Sequence, residues 1–339
     1  MLRILRIMRA LVLDGSPRLS NSFPEPSRAE GEALVAVHVA GVCDTDLQLA
    51  QGYMGFKGVP GHEFVGRVLE ASTPDWVGRR VVADINAGCG TCEDCLLGAG
   101  HHCPTRTVLG ILGRNGAFAE RLVIPERCLI AVPESVSDER AVFAEPIAAA
   151  LHVKKQLAEP NGPIAVLGDG KLGLLIALCL AQLGHAVQLI GHHREKLTIA
   201  AASSIATYLE TEASPLLGTM ATVVEATGSA AGLGLALRLC RPKGTIVLKT
   251  TVKAPLPVDL SLAVINELRI VGSRCGDLAE AMSALEQGRI DPTPLIAARY
   301  DLAHAEAAFE RAATRGVLKV LVDVQRATSI QSDDLTLTP

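Results

Sequence analysis

The sequence predicts an α/β chain in which a doubly wound parallel sheet follows a β-rich domain. Three observations carry this. From Ile164 onward, short apolar strands alternate with helical stretches, the order of βαβ units. Before that point, residues 8–85 read as many short strands separated by turn residues, without the alternation. Between the two, Ile164-Ala-Val-Leu runs directly into Gly168-Asp169-Gly170-Lys171-Leu172-Gly173 and then into an apolar helix from 172 to about 183.

Taken in order, residues 8–14 form the first natural strand, so residues 1–7 read as an extension from an upstream start codon. The arginines there are followed by neither a long apolar core nor a small-residue cleavage site, which argues against a signal peptide. Strands are expected at 32–40, 64–70, 80–84 and 118–124. Residues 140 to about 155 read as largely helical and lead into the second domain. Its strands are expected at 164–167, 186–190, 206–209, 222–226, 245–249 and 269–273, with helices such as 195–202 and 230–239 between them. After Pro294 the chain is expected to return to the first domain through a strand at 317–322, and the polar tail 325–339 is expected to be disordered.

Composition narrows the class of function. The chain has 339 residues, enough for two cores, and its 49% apolar and 20% charged residues are an ordinary balance for a soluble protein. A net charge of −4 without a basic block argues against nucleic acid as a partner. The longest apolar run, 172–183, is too short to span a bilayer, so no membrane partner is expected. Of nine cysteines, four fall between Cys89 and Cys103, a pattern for a metal site in a reducing cytoplasm rather than for disulfides.

The glycine turn has the context that a dinucleotide fingerprint needs. Gly168 permits the tight turn, Gly170 lets the backbone approach a pyrophosphate, and Gly173 lets helix and strand pack closely. The helix N-terminus offers free N–H groups to the phosphates. Cys89, Cys92, Cys95 and Cys103 have the spacing C-x2-C-x2-C-x7-C in a glycine-rich loop. Four thiolates close a tetrahedral zinc site, which is structural because no position remains for substrate. His101 and His102 are then surplus and read as surface residues. A second set, Cys43, His62-Glu63 and Glu145-Pro146, is too dispersed for spacing alone to join.

The order of these motifs resembles the zinc-containing alcohol dehydrogenases of the medium-chain dehydrogenase/reductase superfamily. The resemblance runs from Gly41-Val-Cys43-Asp-Thr45-Asp46 through Gly61-His62-Glu63, the four-cysteine lobe, Glu145-Pro146 and the glycine turn to Val224-Glu-Ala-Thr227-Gly228 and Val271-Gly-Ser-Arg274. It covers residues 8–324, and Glu145-Pro146 is closer to the polyol and threonine dehydrogenase branches.

The resemblance implies a Rossmann domain at 148–294 and a GroES-like catalytic domain at 1–147 and 295–339, with the zinc lobe at 88–104. It implies two zinc ions per chain. Cys43, His62 and Glu145, the last directly or through a water, would hold the catalytic one, Glu63 would exchange with its water, and Asp46 would orient His62. Thr45 would accept the alcohol proton, zinc would act as a Lewis acid, and hydride would pass to a nicotinamide. Tyr53, Phe56 and Phe118 are candidates to line the substrate pocket, with core packing as the competing reading.

Two positions depart from the classical members. Gln48 stands where a histidine often ends the proton relay, and Asp44 stands where an arginine often follows the zinc cysteine. NAD-specific sheets place an acidic residue after the second strand. Here that strand runs into Gly191-His192-His193-Arg194, and Arg194 with the two histidines would suit a 2′-phosphate. The cofactor expectation is therefore NAD(P), leaning to NADP. A small-molecule alcohol or carbonyl is the expected partner, and relatives are homodimers or homotetramers. The alternatives are a zinc-free enoyl or quinone reductase, which would lack both cysteine-bearing sets, and a non-catalytic nucleotide-binding protein.

Overall fold

The computed structural model describes residues 6–157, 162–251 and 258–325. The chain opens with a hairpin of β1 (Ile7–Asp14) and β2 (Ser16–Pro24), closed by Gly15 at φ 94°. The hairpin extends past the first natural strand, since Glu25 N–H donates to the Arg6 carbonyl, so the end of the expected extension is part of the fold. β2 was not legible as a strand. Its two prolines sit near the ends of a polar edge strand, where a missing ladder donor is tolerated.

β3 (Glu32–Val42) is the spine of a seven-stranded sheet and leads through Cys43 into α1 (Asp44–Ala50). β4 (Glu63–Glu70) and β5 (Arg80–Ala83) follow. The cysteine lobe lies between β6 (Asn86–Ala87) and β7 (Thr107–Leu109), with α2 (Glu93–Leu96) inside it. β8 (Gly113–Arg114), β9 (Arg121–Pro125) and β10 (Leu129–Ala131) complete this half. The expected 118–124 strand is shorter because Phe118 is committed to a turn over Pro60 and Gly61. Residues 140–155 are largely helical as expected, in three pieces: α3 (Asp138–Ala141), α4 (Ala144–Leu151) and a 3-10 turn, His152–Gln156. Pro146 falls in the first turn of α4, where its missing N–H costs nothing.

The second half contains β11 (Ile164–Leu167), α5 (Lys171–Gln182), β12 (Val187–Gly191), α6 (Arg194–Ala201) and β13 (Ala206–Leu209). It continues with β14 (Met220–Glu225), α7 (Gly232–Leu239), β15 (Cys240–Leu248), α8 (Ser261–Ile265), β16 (Arg269–Gly272) and α9 (Leu278–Glu286). Its six strands are all parallel in the order β13-β12-β11-β14-β15-β16. The order reverses between β11 and β14, and ligands of doubly wound sheets bind in the crevice at such a point. The chain then forms β17 (Ile296–Asp301), α10 (Ala305–Ala313) and β18 (Lys319–Asp323). β18 pairs with β3, so these strands belong to the first sheet. Val324 and Gln325 still bond the His38 carbonyl; the rest of the expected polar tail lies outside the described residues.

The two sheets share a core. Val39, Val65 and Val82 of the first are in one buried cluster with α4, with Leu174 and Leu175 of α5, and with Val224. α5 is buried from Gly173 to Leu180 because it is covered on all sides. No helix among the described residues is long and apolar enough to cross a membrane.

Candidate active site

The loop leaving β3 and the start of β4 bring the dispersed set together. Cys43 precedes the first turn of α1, and His62-Glu63 lies at the entry to β4, whose pairing places Glu63 opposite Gly41. Donor atoms of Cys43, His62 and Glu63 lie within 4.8 Å of one another. Asp46 locks this arrangement: fully buried, it accepts the Cys43 N–H at 2.9 Å and the Gly61 N–H at 3.1 Å. One carboxylate thus fixes the backbone on both sides of the cluster. Asp46 also faces His62 Nδ1 at 3.4 Å, a charge contact without hydrogen-bond alignment. Burial works against a charged His62, but Asp46 and Cys43 outweigh it and raise the imidazole pKa well above its ordinary value. The Thr45 hydroxyl lies 3.8 Å from the Cys43 sulfur.

Glu145 enters from the first turn of α4 and stands outside the group of three. It keeps some surface, yet it is packed deeply enough that burial is the main cause raising its pKa. His62 pulls that value down and Glu63 pushes it up. Cys43, His62 and Glu63 present sulfur, nitrogen and oxygen donors, a set that suits zinc, and His62 Nδ1 is buried without a hydrogen-bond partner.

The sequence reading missed Lys319. At the start of β18 it is 2% exposed, and its ammonium pairs with Glu63, which is equally buried, under the Phe143 ring at 5.6 Å. The only sequence signal was one charge inside the apolar run Val317-Leu-Lys319-Val-Leu-Val322. Glycine at 41 makes room for this pair, since a Cβ there would meet Glu63 Oε2 at 2.5 Å. Lys249, also unforeseen, donates to the Ala149 and Arg274 carbonyls at 3.0 and 2.8 Å, and burial lowers its pKa to about 8. Phe118 is fully buried, edge-on to Phe309 at 5.1 Å, and so belongs to the core rather than to a substrate pocket.

In the cysteine lobe, Cys89, Cys92, Cys95 and Cys103 have sulfurs within 4.8 Å of one another; His101 and His102 stand apart from that group. The Cys89 sulfur accepts from the Thr91 N–H, the Thr91 hydroxyl and the Cys92 N–H at 3.3–3.5 Å, which pull its thiol down to about 5. Such donors stabilise thiolates. Gly88 is needed here because a Cβ would meet Cys95 Sγ at 2.7 Å.

At the glycine turn, Gly168 has φ 111°, and a Cβ on Gly173 would lie 1.9 Å from the Gly168 carbonyl. Gly170 faces open space, with nothing within 4 Å of its would-be Cβ. Lys171 opens α5, with Leu172 next to it, and bonds Asp44 of α1 at 2.7 Å, linking the turn to the cysteine-bearing helix. Thr227 donates to the buried Glu225 through its N–H and hydroxyl at 2.9 and 2.5 Å. Arg274 bonds the His101 carbonyl in the cysteine lobe at 3.2 Å and Asn86 of β6 at 3.3 Å. Arg194 is exposed and pairs with Glu212, and His192 contacts Glu210 at 3.1 Å. Asp169 is buried and accepts from the N–H groups of His192 and His193.

Comparison with known proteins identifies the family. The alcohol dehydrogenase GroES-like domain family matches residues 29–134. The L-threonine 3-dehydrogenase of Streptomyces avermitilis is 30% identical over 333 residues, covering 88% of this chain and 94% of the relative. A solved Escherichia coli protein described as a short chain alcohol dehydrogenase, complexed with NADH, superposes with a TM-score of 0.85 at 26% identity, over 94% of this chain and 99% of the other. A zinc-binding dehydrogenase from Sinorhizobium meliloti bound to NADP gives 0.84 at 27% identity, over 94% and 100%. The chain belongs to the zinc-containing alcohol dehydrogenases of the medium-chain dehydrogenase/reductase superfamily, oxidoreductases that move hydride between an alcohol and NAD(P).

Proposed function

We propose that the chain oxidises a secondary alcohol, polyol, sugar or amino-alcohol at a catalytic zinc held by Cys43, His62 and Glu145, with Glu63 as an exchanging ligand. The observation that carries this is the convergence of Cys43, His62 and Glu63 in front of the buried Asp46. Zinc there would supply Lewis acidity toward an alcohol oxygen, and the nicotinamide would take up the hydride. Thr45, beside the Cys43 sulfur, would accept the alcohol proton while passing its own hydroxyl proton on toward solvent. Asp46 holds the two ligand-bearing loops in place, and Lys319 balances Glu63 when its carboxylate is not engaged. Cys89, Cys92, Cys95 and Cys103 hold a second, structural zinc that contributes to folding.

The catalytic domain comprises residues 1–147 and 295–339, and the nucleotide domain 148–294, a division supported by the separate seven-stranded and six-stranded sheets. β16 is the last strand of its sheet, and Ile270, Val264 and Ile265 beside it are exposed, which favours a homodimer joined along this edge. The clustered reduced thiols favour the cytoplasm. The sequence favoured NADP through Arg194, but a 2′-phosphate there would compete with Glu212 for that arginine.

The test is metal content together with turnover over alcohols, polyols and threonine with both cofactors. Two zinc ions in the wild type, one in Cys43→Ser without turnover, and lowered stability in Cys95→Ser are expected. A well-folded wild type that contains no more than one zinc overturns the two-site reading.

A further inference from the structure

We infer that Asp169 replaces the acidic residue that an NAD-binding sheet carries at the end of its second strand, and that it makes this site select NAD over NADP. The inference rests on the reading of the glycine turn as a dinucleotide site. Residue 191, the last of β12, is the position from which a carboxylate would reach the ribose 2′-hydroxyl, and it is glycine. The reason lies in the neighbouring loop. A Cβ on Gly191 would lie 2.6 Å from Asp169 Cβ and 2.6 Å from Asp169 Oδ2. The Asp169 side chain, rising from the glycine turn itself, already fills the place where a side chain at 191 would begin.

Its carboxylate is also held on that side. Oδ2 accepts the His192 and His193 N–H groups at 2.7 and 2.6 Å and faces His193 Nδ1 at 3.0 Å. Those N–H groups lie just before α6 and are the donors that a 2′-phosphate would need. The surrounding cations are matched as well. Lys196 lies 4.0 Å from Asp169, Arg194 pairs with Glu212, and His192 contacts Glu210. A phosphate dianion entering here would meet three carboxylates against the two permanent cations Arg194 and Lys196. A hydroxyl meets no such repulsion and has a carboxylate to donate to. The sequence pattern concealed this because Asp169 is 22 positions from Gly191 and belongs to the fingerprint, where its side chain carries no assigned role.

The test measures dissociation constants of NADH and NADPH by nicotinamide fluorescence on the zinc-loaded protein, without substrate. NADH is expected to bind at least about tenfold more tightly than NADPH. Asp169→Asn should reduce that ratio at least about threefold, chiefly by tightening NADPH, because it removes the charge and keeps the volume. The exchange Asp169→Gly with Gly191→Asp puts the carboxylate at the usual position and should restore the preference. This second variant also carries the test if Asp169→Asn does not fold. Equal binding of the two cofactors to the wild type, tighter NADPH, an unchanged ratio in Asp169→Asn, or an exchange variant without preference overturns the assignment alone. Binding of neither dinucleotide to the wild type overturns the dinucleotide reading with it.

Discussion

Lys319→Met is the most demanding test of how the active-site pocket is built. Lys319 and Glu63 are each 2% exposed, so their charges have lost nearly all contact with water. Methionine keeps most of the volume and removes the charge. Glu63 is then left as a buried carboxylate with Cys43 and His62 as close neighbours. Removing one partner of a buried ion pair typically costs about 3–5 kcal/mol, because the remaining charge is uncompensated. That is a large share of the roughly 5–15 kcal/mol by which folded domains are stable. Urea unfolding followed by the fluorescence of Trp76, the single tryptophan, reads the sheet that holds the pair, since this residue packs against that sheet's core. Glu63→Gln should be destabilising too, while the double variant should recover about 2–3 kcal/mol of the summed loss. A Lys319→Met cost below about 1 kcal/mol, or two variants whose effects simply add, refutes the argument that the pair holds the pocket.

Glu145→Ala should lower kcat severely with the NADH dissociation constant nearly unchanged; a near-normal kcat with catalytic zinc retained would make Glu145 a helix-terminus residue only. Gly173→Ala should abolish tight NADH binding, since its Cβ would lie 1.9 Å from the Gly168 carbonyl, and a retained dissociation constant would contradict that contact. Asp138→Asn tests the contact between His38 of β3 and Asp138 of α3. Burial raises the Asp138 pKa, but His38 at 2.9 Å and Arg80 at 2.7 Å outweigh it and hold it below the ordinary value. A depressed carboxyl contributes stability that is fully present above its unfolded pKa of about 3.9 and is lost as pH falls through the folded value. The stability gap between wild type and variant should therefore narrow as pH falls below about 4; a gap unchanged at pH 3 would count against the network.

Local chemistry made much of this protein legible in its sequence. The glycine turn, the strands β11 and β13, and the four-cysteine lobe are contiguous segments whose residue types carry their own geometric requirement, and each appears where its residues predicted. Helix α5 was equally clear, because an apolar, proline-free run followed a turn that needs a helix after it. β2 was not, because a polar, proline-flanked edge strand has no buried face to impose a period of two. The run 140–155 read as largely helical and is so, but composition did not register the two-residue break between α3 and α4.

The active site divides along the same line. The family resemblance named Cys43, His62 and Glu145 as ligands with Glu63 beside them, but only the pairing of β3 with β4 and the carboxylate of Asp46 bring donor atoms of Cys43, His62 and Glu63 within 4.8 Å, with Glu145 outside that group. Lys319 lies 256 positions from Glu63, and nothing in either segment announces the other; their pairing exists because β18 returns beside β3. Arg194 shows the converse. Its residue type suited a phosphate, and the fold gave it Glu212 as a partner, while Asp169 took the space beside Gly191. A motif states which chemistry is available within a few residues of chain. Which charges end up neutralised, and which side chain fills a given volume, depends on contacts between distant segments, and these are decided only when the two sheets pack.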